Sequence, residues 1–407
     1  MDVYEPREDS FLLEKFVREY ALGRVLDMGT GSGILALSAM KNSNVREVIA
    51  VDINPKVVEN LGKKIEIEKL RKVKAIQSDL FENVDGQFNL IIFNPPYLPQ
   101  DKVAGEVIED WALYGGKKGW EVAERFFANA SKYLFFDGKI LFLFSSLTNK
   151  KKIEEIITHK LLDFKEIGQE KLAFEELYVY EVSKSSLLRE LEAKGVVDIH
   201  YYAKGKRGLV HAGNYDTVTK VKKFLPLKAQ KVKVAIKVKR ADSRASGNII
   251  NEAKWLEKLN KVGIGSRFLF SGENYLVYEF VEGEEITSFI EKWELNAIKN
   301  VLIDVLKQCF EMDCLKVNKE EMHHPVKHII IDRGGKSWLI DFERCRKTDM
   351  PRNVTQFVEF ICRIKGLLIK KGLKVDVEKL RWLAKKYKEG YTKGNFEEIL
   401  DVLLKLG

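Results

Sequence analysis

The chain has 407 residues, a formal net charge of +9 and 45% hydrophobic residues. This length suits two domains of roughly 150–250 residues each. No apolar run is long enough to cross a bilayer and the first residues lack a signal-peptide pattern, so we expect a cytoplasmic protein with no membrane partner. The four cysteines form no CxxC pair, which argues against a disulfide framework or a cysteine zinc site. The basic charge fits nucleic acid or nucleotide phosphates as partners, and it equally fits a margin of solubility.

The first predicted element is a helix. Apolar residues recur at helical spacing from Phe11 to Tyr20, and Ser10 is a candidate N-cap. The acidic stretch Glu5-Pro6-Arg7-Glu8-Asp9 lies directly before it. Two interpretations of this stretch stay open, a solvated helix entrance and a loop that gates a cofactor.

A glycine-rich turn follows the first predicted strand. It runs from Asp27 to Gly33, and an apolar helix begins at Ile34. The glycines allow a ligand to approach the backbone, and the start of the helix favours an anion or a carboxylate. Asp52 ends the second apolar strand about 20 residues further on, where an acid can bind ribose hydroxyls. Dinucleotide enzymes and methyltransferases that use S-adenosylmethionine both have these two features.

Strand and helix patterns then alternate, which predicts an α/β domain with a doubly wound, mostly parallel sheet. Asp79 follows the third strand, where an acid could meet an adenine amino group. The last two strand patterns predict an antiparallel closing pair. The predicted elements are a helix at Val57–Leu70, strands at Val73–Ile76 and Phe88–Phe93, a helix at Trp120–Leu134, and strands at Lys139–Phe144, Lys165–Ile167 and Leu177–Val182.

The tetrapeptide Asn94-Pro95-Pro96-Tyr97 follows the fourth predicted strand directly. A planar NH2 group is a poor nucleophile, so an enzyme that methylates it must orient it towards the methyl donor. The side-chain carbonyl of Asn94 and the main-chain carbonyl of Pro95 can accept its two hydrogens, while Tyr97 stacks on its plane. The two prolines stiffen the loop. An ordinary proline-rich turn is the alternative, but the glycine turn and the acids before it favour a methyltransferase.

Residues 1–184 resemble the HemK-like methyltransferases of archaeal and eukaryotic type. The resemblance rests on four segments: Val3-Tyr4-Glu5-Pro6-Arg7-Glu8-Asp9-Ser10-Phe11-Leu12-Leu13, the Asp27 to Gly33 turn, Asn94 to Tyr97, and Gly115-Gly116-Lys117-Lys118-Gly119. Members of that family are class I methyltransferases that methylate the glutamine of the GGQ loop in translation release factors. An RNA or DNA base amine stays the alternative substrate, because the tetrapeptide can hold any planar NH2 group.

The resemblance implies a set of site residues. Asn94, Pro95 and Tyr97 would hold the glutamine amide. The residues expected at S-adenosylmethionine are Asp9, Asp27, Gly29, Gly31, Gly33, Asp52, Asp79 and Asn94. A small zinc-binding activator subunit is a further expected partner, which would dock on the edge strand at Val73–Ile76.

The second half begins with a predicted linker helix at 185–195, followed by a domain at 196–407. A basic hairpin at Ala203–Val210 either covers phosphates or is a solvated turn. Lys237 lies in an alternating strand, and Glu252 follows 15 residues later in a helical stripe. Such a pair positions nucleotide phosphates in kinases. The tail from Val354 to Leu406 is predicted to be amphipathic helix throughout.

This half resembles a small atypical protein kinase of archaeal or RIO-like kind, with an N-lobe at about 196–281 and a helical C-lobe at about 282–407. The resemblance implies that Lys237, Glu252 and Asp341 handle ATP, and that Asp341 binds Mg²⁺. His323 stands where the catalytic Asp is expected, and His328 where a metal-binding Asn is expected.

Glu343 replaces the glycine that normally follows the Asp-Phe pair. A histidine lacks a carboxylate's charge beside magnesium, although it can act as a base near neutral pH. An active kinase, a nucleotide-binding pseudokinase and a pure docking module therefore all stay open for this domain. For the whole chain, the alternative from a different class is an ATP-responsive docking or assembly factor in translation, in which the methyltransferase half is vestigial. A metal site built from His323, His324 and His328 is disfavoured, because adjacent histidines point apart.

Overall fold

A computed structural model describes residues 5–100, 113–205, 208–216, 231–239 and 248–405. The chain divides into two compact units, Met1–His200 and Tyr201–Gly407. The predicted limits of 1–184, 185–195 and 196–407 stay a prediction. Val3 and Tyr4 of the first resembling segment, and Lys206 and Arg207 of the basic hairpin, lie outside the described residues.

The first unit alternates strands and helices, as expected for a doubly wound sheet. Its elements are α1 Glu8–Tyr20, β1 Gly23–Met28, α2 Ile34–Met40, β2 Val45–Asp52, α3 Pro55–Ile67, β3 Val73–Gln77, β4 Phe88–Phe93, α4 Glu121–Phe127, β5 Leu134–Ser145, α5 Lys150–His159, β6 Leu162–Lys171, β7 Glu176–Lys184 and α6 Ser186–Ala193.

Seven strands form one mixed sheet in the order β3-β2-β1-β4-β5-β7-β6. Strands β1 to β5 run parallel, and β7 is antiparallel to both of its neighbours. This confirms the class I methyltransferase fold with its antiparallel closing pair. It also confirms that β3 lies at the edge of the sheet, where the sequence placed it.

The core of this unit lies on both faces of the sheet, because alternate residues of a strand point to opposite sides. In β4, Leu90 and Ile92 pack with the apolar side chains of α1 and α2. Phe93 points to the other face, where its ring centroid lies 4.4 Å from that of Phe126 in α4. Both faces of β4 are therefore buried, which fixes the position of Asn94 at its end.

An ion network links three strands near their amino-terminal ends. Glu47 of β2 accepts from Arg24 of β1 at 2.9 Å and from Lys74 of β3 at 2.7 Å. The Arg24 guanidinium also lies 4.5 Å from the centroid of the Phe88 ring. These bonds, from Lys74 first and Arg24 next, hold the pKa of Glu47 below its usual range. The network therefore stays charged well into the acidic range.

Two predicted helices in this unit are present with different boundaries. The first helix begins at Glu8, so Ser10 lies inside it and is not its N-cap; the acidic Glu8 and Asp9 suit the positive end of the helix dipole. The predicted helix to Leu134 ends at Phe127. A 3-10 turn at Ala130–Tyr133 follows, and within it Tyr133 stacks on Phe81 with ring centroids 4.3 Å apart.

The second unit combines an antiparallel sheet with a helical part; strand β8 spans the division between the units. Its elements are β8 Val196–Lys204, β9 Gly208–Asp216, β10 Lys231–Lys239, α7 Asn248–Asn260, β11 Phe268–Ser271, β12 Tyr275–Glu279, β13 Gly283–Glu285, α8 Ile286–Lys292, α9 Leu295–Cys314, β14 Val317–Asn318, β15 Ile329–Asp332, β16 Ser337–Leu339, β17 Arg346–Lys347, α10 Asn353–Arg363, α11 Lys365–Lys370, α12 Val377–Gly390 and α13 Lys393–Leu404.

The five-stranded sheet has the order β11-β12-β10-β9-β8, and the last helices pack around α9 in one apolar core. The prediction of unbroken helix from Val354 onwards was wrong. The tail forms four helices. Gly372, with a φ of +86°, lies between α11 and α12, and the side chains of Asp376 and Thr392 cap the starts of α12 and α13. Within the described residues, no helix is long and apolar enough to span a membrane.

Candidate active site

The carboxyl ends of β1, β2 and β4 lie side by side in the sheet of the first unit. They carry the glycine turn that starts at Gly29, then Asp52, and then Asn94. The chain order reverses between β1 and β4, and ligands of open α/β sheets bind at such a point. The structure therefore brings together the three motifs that the sequence identified separately.

Asp27 holds the glycine turn from beneath. Its Oδ2 accepts from the Thr30 hydroxyl at 2.6 Å and from the Ala36 amide at 3.0 Å. The side chain is buried, and burial raises its pKa to about 7 against the opposing effect of these bonds. The Asp27 side chain thus connects the glycine turn to the first residues of α2 from inside the core.

Asp52 fastens the same turn from the next strand. Its Oδ2 accepts from the Gly31 amide at 3.0 Å, and its Oδ1 accepts from the Asn54 amide at 2.9 Å. Burial raises the pKa of this carboxyl, while the backbone amides oppose the rise. A half-buried carboxylate in a fixed orientation is suited to accept hydrogen bonds from a ligand's hydroxyl groups.

The glycines of the turn serve two purposes. Gly33 has a φ of +78°, and a Cβ there would lie 2.7 Å from Leu61 Cδ1, so it permits close packing of α2 against α3. Gly29 has a φ of +64°, but a Cβ there would meet only Phe93, at 3.7 Å. The open space above Gly29 is the kind of backbone surface that a ligand can approach.

Asn94 is held from the first helix. Its Nδ2 donates to Oδ2 of Asp9 at 2.9 Å, and Asp9 is only 4% exposed. The other oxygen of Asp9 accepts from the Ser10 amide at 2.6 Å. Because a carboxylate is an acceptor, this contact fixes which side of the Asn94 amide carries its nitrogen. Asn94 Oδ1 is buried and has no hydrogen-bond partner among the described residues.

The loop after Asn94 is packed by a second glycine segment. A Cβ at Gly115 would lie 2.5 Å from the Pro96 carbonyl, and one at Gly119 would lie 2.4 Å from the Tyr97 carbonyl. The Thr148 hydroxyl donates to the Tyr97 carbonyl at 3.1 Å. Gly115 to Gly119 appeared in the sequence only as part of a resemblance. Thr148 gave no sequence signal, since a single threonine after a strand is common.

The remaining predicted residues of this unit are more scattered. Pro95 is buried, and Tyr97 is half-buried with its side chain against the core. Asp79 lies in the loop after β3, where its Oδ2 accepts from Arg125 at 2.7 Å. Its carboxylate is therefore engaged with α4.

The second unit contains a charged cluster around Lys237. The Lys237 Nζ lies 2.6 Å from Glu252, 2.9 Å from Asp341 and 3.6 Å from Glu343. The predicted pair of Lys237 and Glu252 therefore forms. Burial opposes the charge of Lys237, but Glu252 and Asp341 outweigh it and raise its pKa. Burial likewise opposes the charge of Asp341, whose pKa is held low by Lys237 and Lys319.

Three carboxylates of this cluster could hold a metal ion. One oxygen from each of Glu252, Asp341 and Glu343 lies within 4.8 Å of the other two. His328 Nδ1 lies 3.7 Å from Asp341 Oδ2, and burial, reinforced by Lys319, lowers the pKa of this histidine. His323 is exposed, and its Nδ1 lies 3.1 Å from the Glu320 carbonyl. The structure thus joins His328 to the cluster.

Lys319 was not predicted from the sequence as a residue of this cluster. It is fully buried, and its ammonium donates to the main-chain carbonyl of Asp341 and lies over the Phe342 ring at 5.2 Å. Asp341 itself has a φ of +62°, which is rare for a residue with a side chain. A lysine that follows an asparagine in a loop belongs to no sequence pattern that predicts a buried bond to a main-chain carbonyl.

Comparison with known proteins agrees with the fold of the first unit. The family described as methyltransferase small domain matches residues 9–172. A putative protein N5-glutamine methyltransferase of Methanocaldococcus jannaschii is 39% identical over 183 residues, which cover 44% of this chain and 90% of that protein. The release factor glutamine methyltransferase of Deinococcus radiodurans is 37% identical over 123 residues, covering 29% of this chain and 44% of that protein.

A solved structure is similar over the same share of the chain. The E. cuniculi Mtq2–Trm112 complex, described as responsible for methylation of the eRF1 translation termination factor, is 24% identical with a TM-score of 0.36. It covers 46% of this chain and 100% of its own. The fold and the site define a class I methyltransferase. Through its first unit, the chain belongs to the HemK-like protein-glutamine methyltransferase family.

Proposed function

We propose that the first unit transfers a methyl group from S-adenosylmethionine to the side-chain amide of a glutamine, in the GGQ loop of a translation release factor. The observation that carries this proposal is the buried Asn94 Oδ1, which has no hydrogen-bond partner among the described residues. Leaving a buried acceptor unpaired costs about 1–3 kcal/mol, so a donor from a bound substrate would stabilise this atom. An NH2 group supplies one.

The chemistry required of the protein is orientation. The amide nitrogen of glutamine shares its lone pair with the carbonyl, so it attacks only when it is held in line with the methyl group. Asn94 Oδ1 and the main-chain carbonyl of Pro95 accept its two hydrogens, and the ring of Tyr97 lies against its plane. The close packing of Gly115 and Gly119 against this loop and the bond from Thr148 to the Tyr97 carbonyl keep these acceptors in place.

The residues at the strand ends fit the cofactor. The open backbone at Gly29 and the half-buried carboxylate of Asp52 suit an adenosyl group and its ribose hydroxyls. Asp27 would act through the turn, which also contains Gly31 and Gly33. Asp79 would meet the adenine, and Asp9 would face the cofactor beside Asn94. When bound, S-adenosylmethionine supplies the methyl group.

The names of two relatives support the protein substrate, since they describe glutamine methyltransferases. The rival substrate is an RNA or DNA base amine, which has the same planar NH2 group and would suit the net charge of +9. Labelled methyl transfer to purified release factor, to a GGA version of it and to total RNA separates the two. We expect label only in the GGQ protein. Label only in RNA would overturn the proposal.

A small zinc-binding activator subunit is proposed to dock at the edge of the sheet. Strand β3 pairs with β2 on one side only, so its outer edge is open to a partner strand within the described part of this sheet. Methyl transfer should rise when the subunit is added. An unchanged rate together with no binding would remove the partner from the proposal.

We propose that the second unit binds ATP with Mg²⁺ in the manner of a kinase. The contacts of Lys237 with Glu252 and Asp341 support this, because kinases use such an ion pair to position phosphates. Lys237 would meet the phosphates. Asp341 would bind the metal, with Glu343 near enough to share it. His328 beside Asp341 is the residue whose chemistry departs most from the kinase pattern.

Calorimetric titration with ATP and Mg²⁺ tests this second proposal. We expect binding to the unmodified chain and its loss in Asp341→Ala. The exposed His323→Ala should leave binding unchanged and serves as the control. Undetectable ATP binding to the unmodified chain would overturn the proposal and reduce this unit to a docking module.

A further inference from the structure

We propose that Asp9 is a positioning residue for methyl transfer, which holds the Asn94 amide with its carbonyl turned towards the substrate nitrogen. This inference rests on the proposed glutamine methylation and extends it. Asp9 is 85 residues from Asn94 in the chain and belongs to the first turn of α1. It thereby adds a second role to a residue that the resemblance assigns to the cofactor.

The Asn94 side-chain amide can lie in two orientations. A side-chain amide can rotate by half a turn at little cost, which exchanges its oxygen with its NH2 group. With the oxygen towards the substrate, Asn94 accepts a hydrogen of the glutamine amide. With the NH2 group towards the substrate, two donors face each other. Methyl transfer therefore requires that one of the two orientations be selected.

Asp9 makes this selection by its charge. Its Oδ2 lies 2.9 Å from Asn94 Nδ2 and can only accept, so it binds the NH2 group and turns the oxygen away. Asp9 is itself fixed, because its Oδ1 accepts from the Ser10 amide at 2.6 Å and from the Ser10 hydroxyl at 3.2 Å. Burial of Asp9 and Asn94 Oδ1 keeps water from competing for these bonds.

The same contacts make Asp9→Asn a sharp test. The Ser10 amide is a donor, so the oxygen of the new side chain must face it. The new NH2 group then faces Asn94, which has to present its oxygen to residue 9 and its NH2 group to the substrate. Asp9→Asn leaves the side-chain volume nearly unchanged. It makes Asn94 present a donor, its NH2 group, to the glutamine in place of its acceptor oxygen. The matched control is Glu8→Gln, an exposed carboxylate in the same helical turn.

We expect Asp9→Asn to lower kcat for a GGQ substrate by about 100-fold at saturating S-adenosylmethionine, the size of loss that misplaced groups cause. This loss should persist at saturating S-adenosylmethionine whatever the change in the cofactor's dissociation constant, which calorimetry measures, and Glu8→Gln should leave both quantities unchanged. A raised dissociation constant with kcat restored at saturation would make Asp9 a cofactor ligand only, which would overturn the inference.

Exchanging the two residues, with Asp9→Asn and Asn94→Asp together, distinguishes a lost contact from a misfolded protein. Asn94→Asp alone sets two carboxylates against each other. Combined with Asp9→Asn, it restores a donor and an acceptor in reversed order, and still leaves one oxygen of residue 94 for the substrate. The double variant should exceed Asn94→Asp by at least about tenfold in kcat, since coupled residues are not additive. Independent, multiplying losses would show that Asp9 does not act through Asn94.

An NMR measurement that needs no catalysis tests this inference separately from the proposed function. In protein labelled with ¹⁵N-asparagine, the side-chain NH2 signal of Asn94 is the one that disappears in Asn94→Ala. Asp9→Ala should move the hydrogen-bonded proton of that signal upfield. An unmoved signal overturns the contact even if glutamine is methylated. A moved signal in a chain that methylates no glutamine leaves Asp9 holding Asn94 and removes only the proposed substrate.

Discussion

The Thr148 hydroxyl donates to the main-chain carbonyl of Tyr97 at 3.1 Å, which ties the loop after β4 to the turn that ends β5. Thr148 is 1% exposed, so water cannot replace the bond. The backbone that carries the proposed acceptors is therefore anchored from the neighbouring strand as well as by its own prolines.

Thr148→Val should loosen this anchor. The valine keeps the shape of threonine but leaves the Tyr97 carbonyl without its donor, at a cost of about 1–3 kcal/mol. We expect a lower melting temperature and a several-fold lower kcat, with S-adenosylmethionine binding preserved. Thr158→Val is the control, because the Thr158 hydroxyl donates to the Glu154 carbonyl on the exposed side of α5. Equal effects of the two substitutions would count against a role for the anchor.

Gly115→Ala should be destructive and Gly62→Ala harmless. A Cβ at position 115 would lie 2.4 Å from the Gly119 carbonyl and 2.5 Å from the Pro96 carbonyl, and neither backbone atom can move alone. A Cβ at position 62, inside α3, would meet nothing within 4 Å and should stabilise the helix by up to about 1 kcal/mol. Thermal melts and methyl-transfer rates check both. An active, stable Gly115→Ala protein would mean that the loop does not pack in this way.

The pH dependence of stability should report on Asp27. Burial raises its pKa from 3.8 to about 7, so the folded protein keeps a proton that the unfolded chain releases. The free energy of unfolding should therefore fall as the pH rises. The fall begins at about pH 4, amounts to about 1.4 kcal/mol per pH unit and is complete above about pH 7. Asp27→Asn should remove this fall, because its amide oxygen still accepts from Thr30 and Ala36. Unfolding followed from pH 4.5 to 8 measures it.

The control for that measurement is Asp137→Asn, which removes an exposed carboxylate of β5. It should retain the slope of the unmodified protein. Identical slopes in Asp27→Asn and the unmodified protein would show that Asp27 is ionised in the folded state.

Lys237→Met should destabilise the second unit. The substitution leaves the buried Glu252 carboxylate without its ammonium partner, and breaking a buried pair on one side costs about 3–5 kcal/mol. Lys233→Met, on the same strand, removes an exposed pair with Glu282 and should cost less than about 1 kcal/mol. Differential scanning calorimetry compares the two. A small, equal loss in both would argue that Glu252 is protonated.

The strands were largely predictable from the sequence, because their buried runs are continuous and apolar. Phe88–Phe93 is an example in which both faces are covered. The helix boundaries were less predictable. Helix α4 ends at Phe127 and a 3-10 turn follows at Ala130–Tyr133, a difference that the spacing of apolar residues does not reveal.

The positions of the site motifs followed from their places after strands, but their mutual bonds did not. The pair of Asp9 and Asn94 spans 85 residues, and nothing in the spacing indicates that they meet. The pairing of Lys237 with Glu252 was predictable because a known pattern joins those residues. The buried Lys319 was not, since burial of an ammonium depends on the Asp341 carbonyl that receives it.

The ion network of Arg24, Glu47 and Lys74 lies near the amino ends of the strands whose carboxyl ends carry the glycine turn and Asp52. Strands β1 and β2 thus carry a charge network near one end and proposed cofactor-binding residues at the other, separated by a run of buried residues. Residues that pair the strands and residues proposed to bind the cofactor therefore occupy opposite ends of the same strands, so a substitution at one end need not disturb the other.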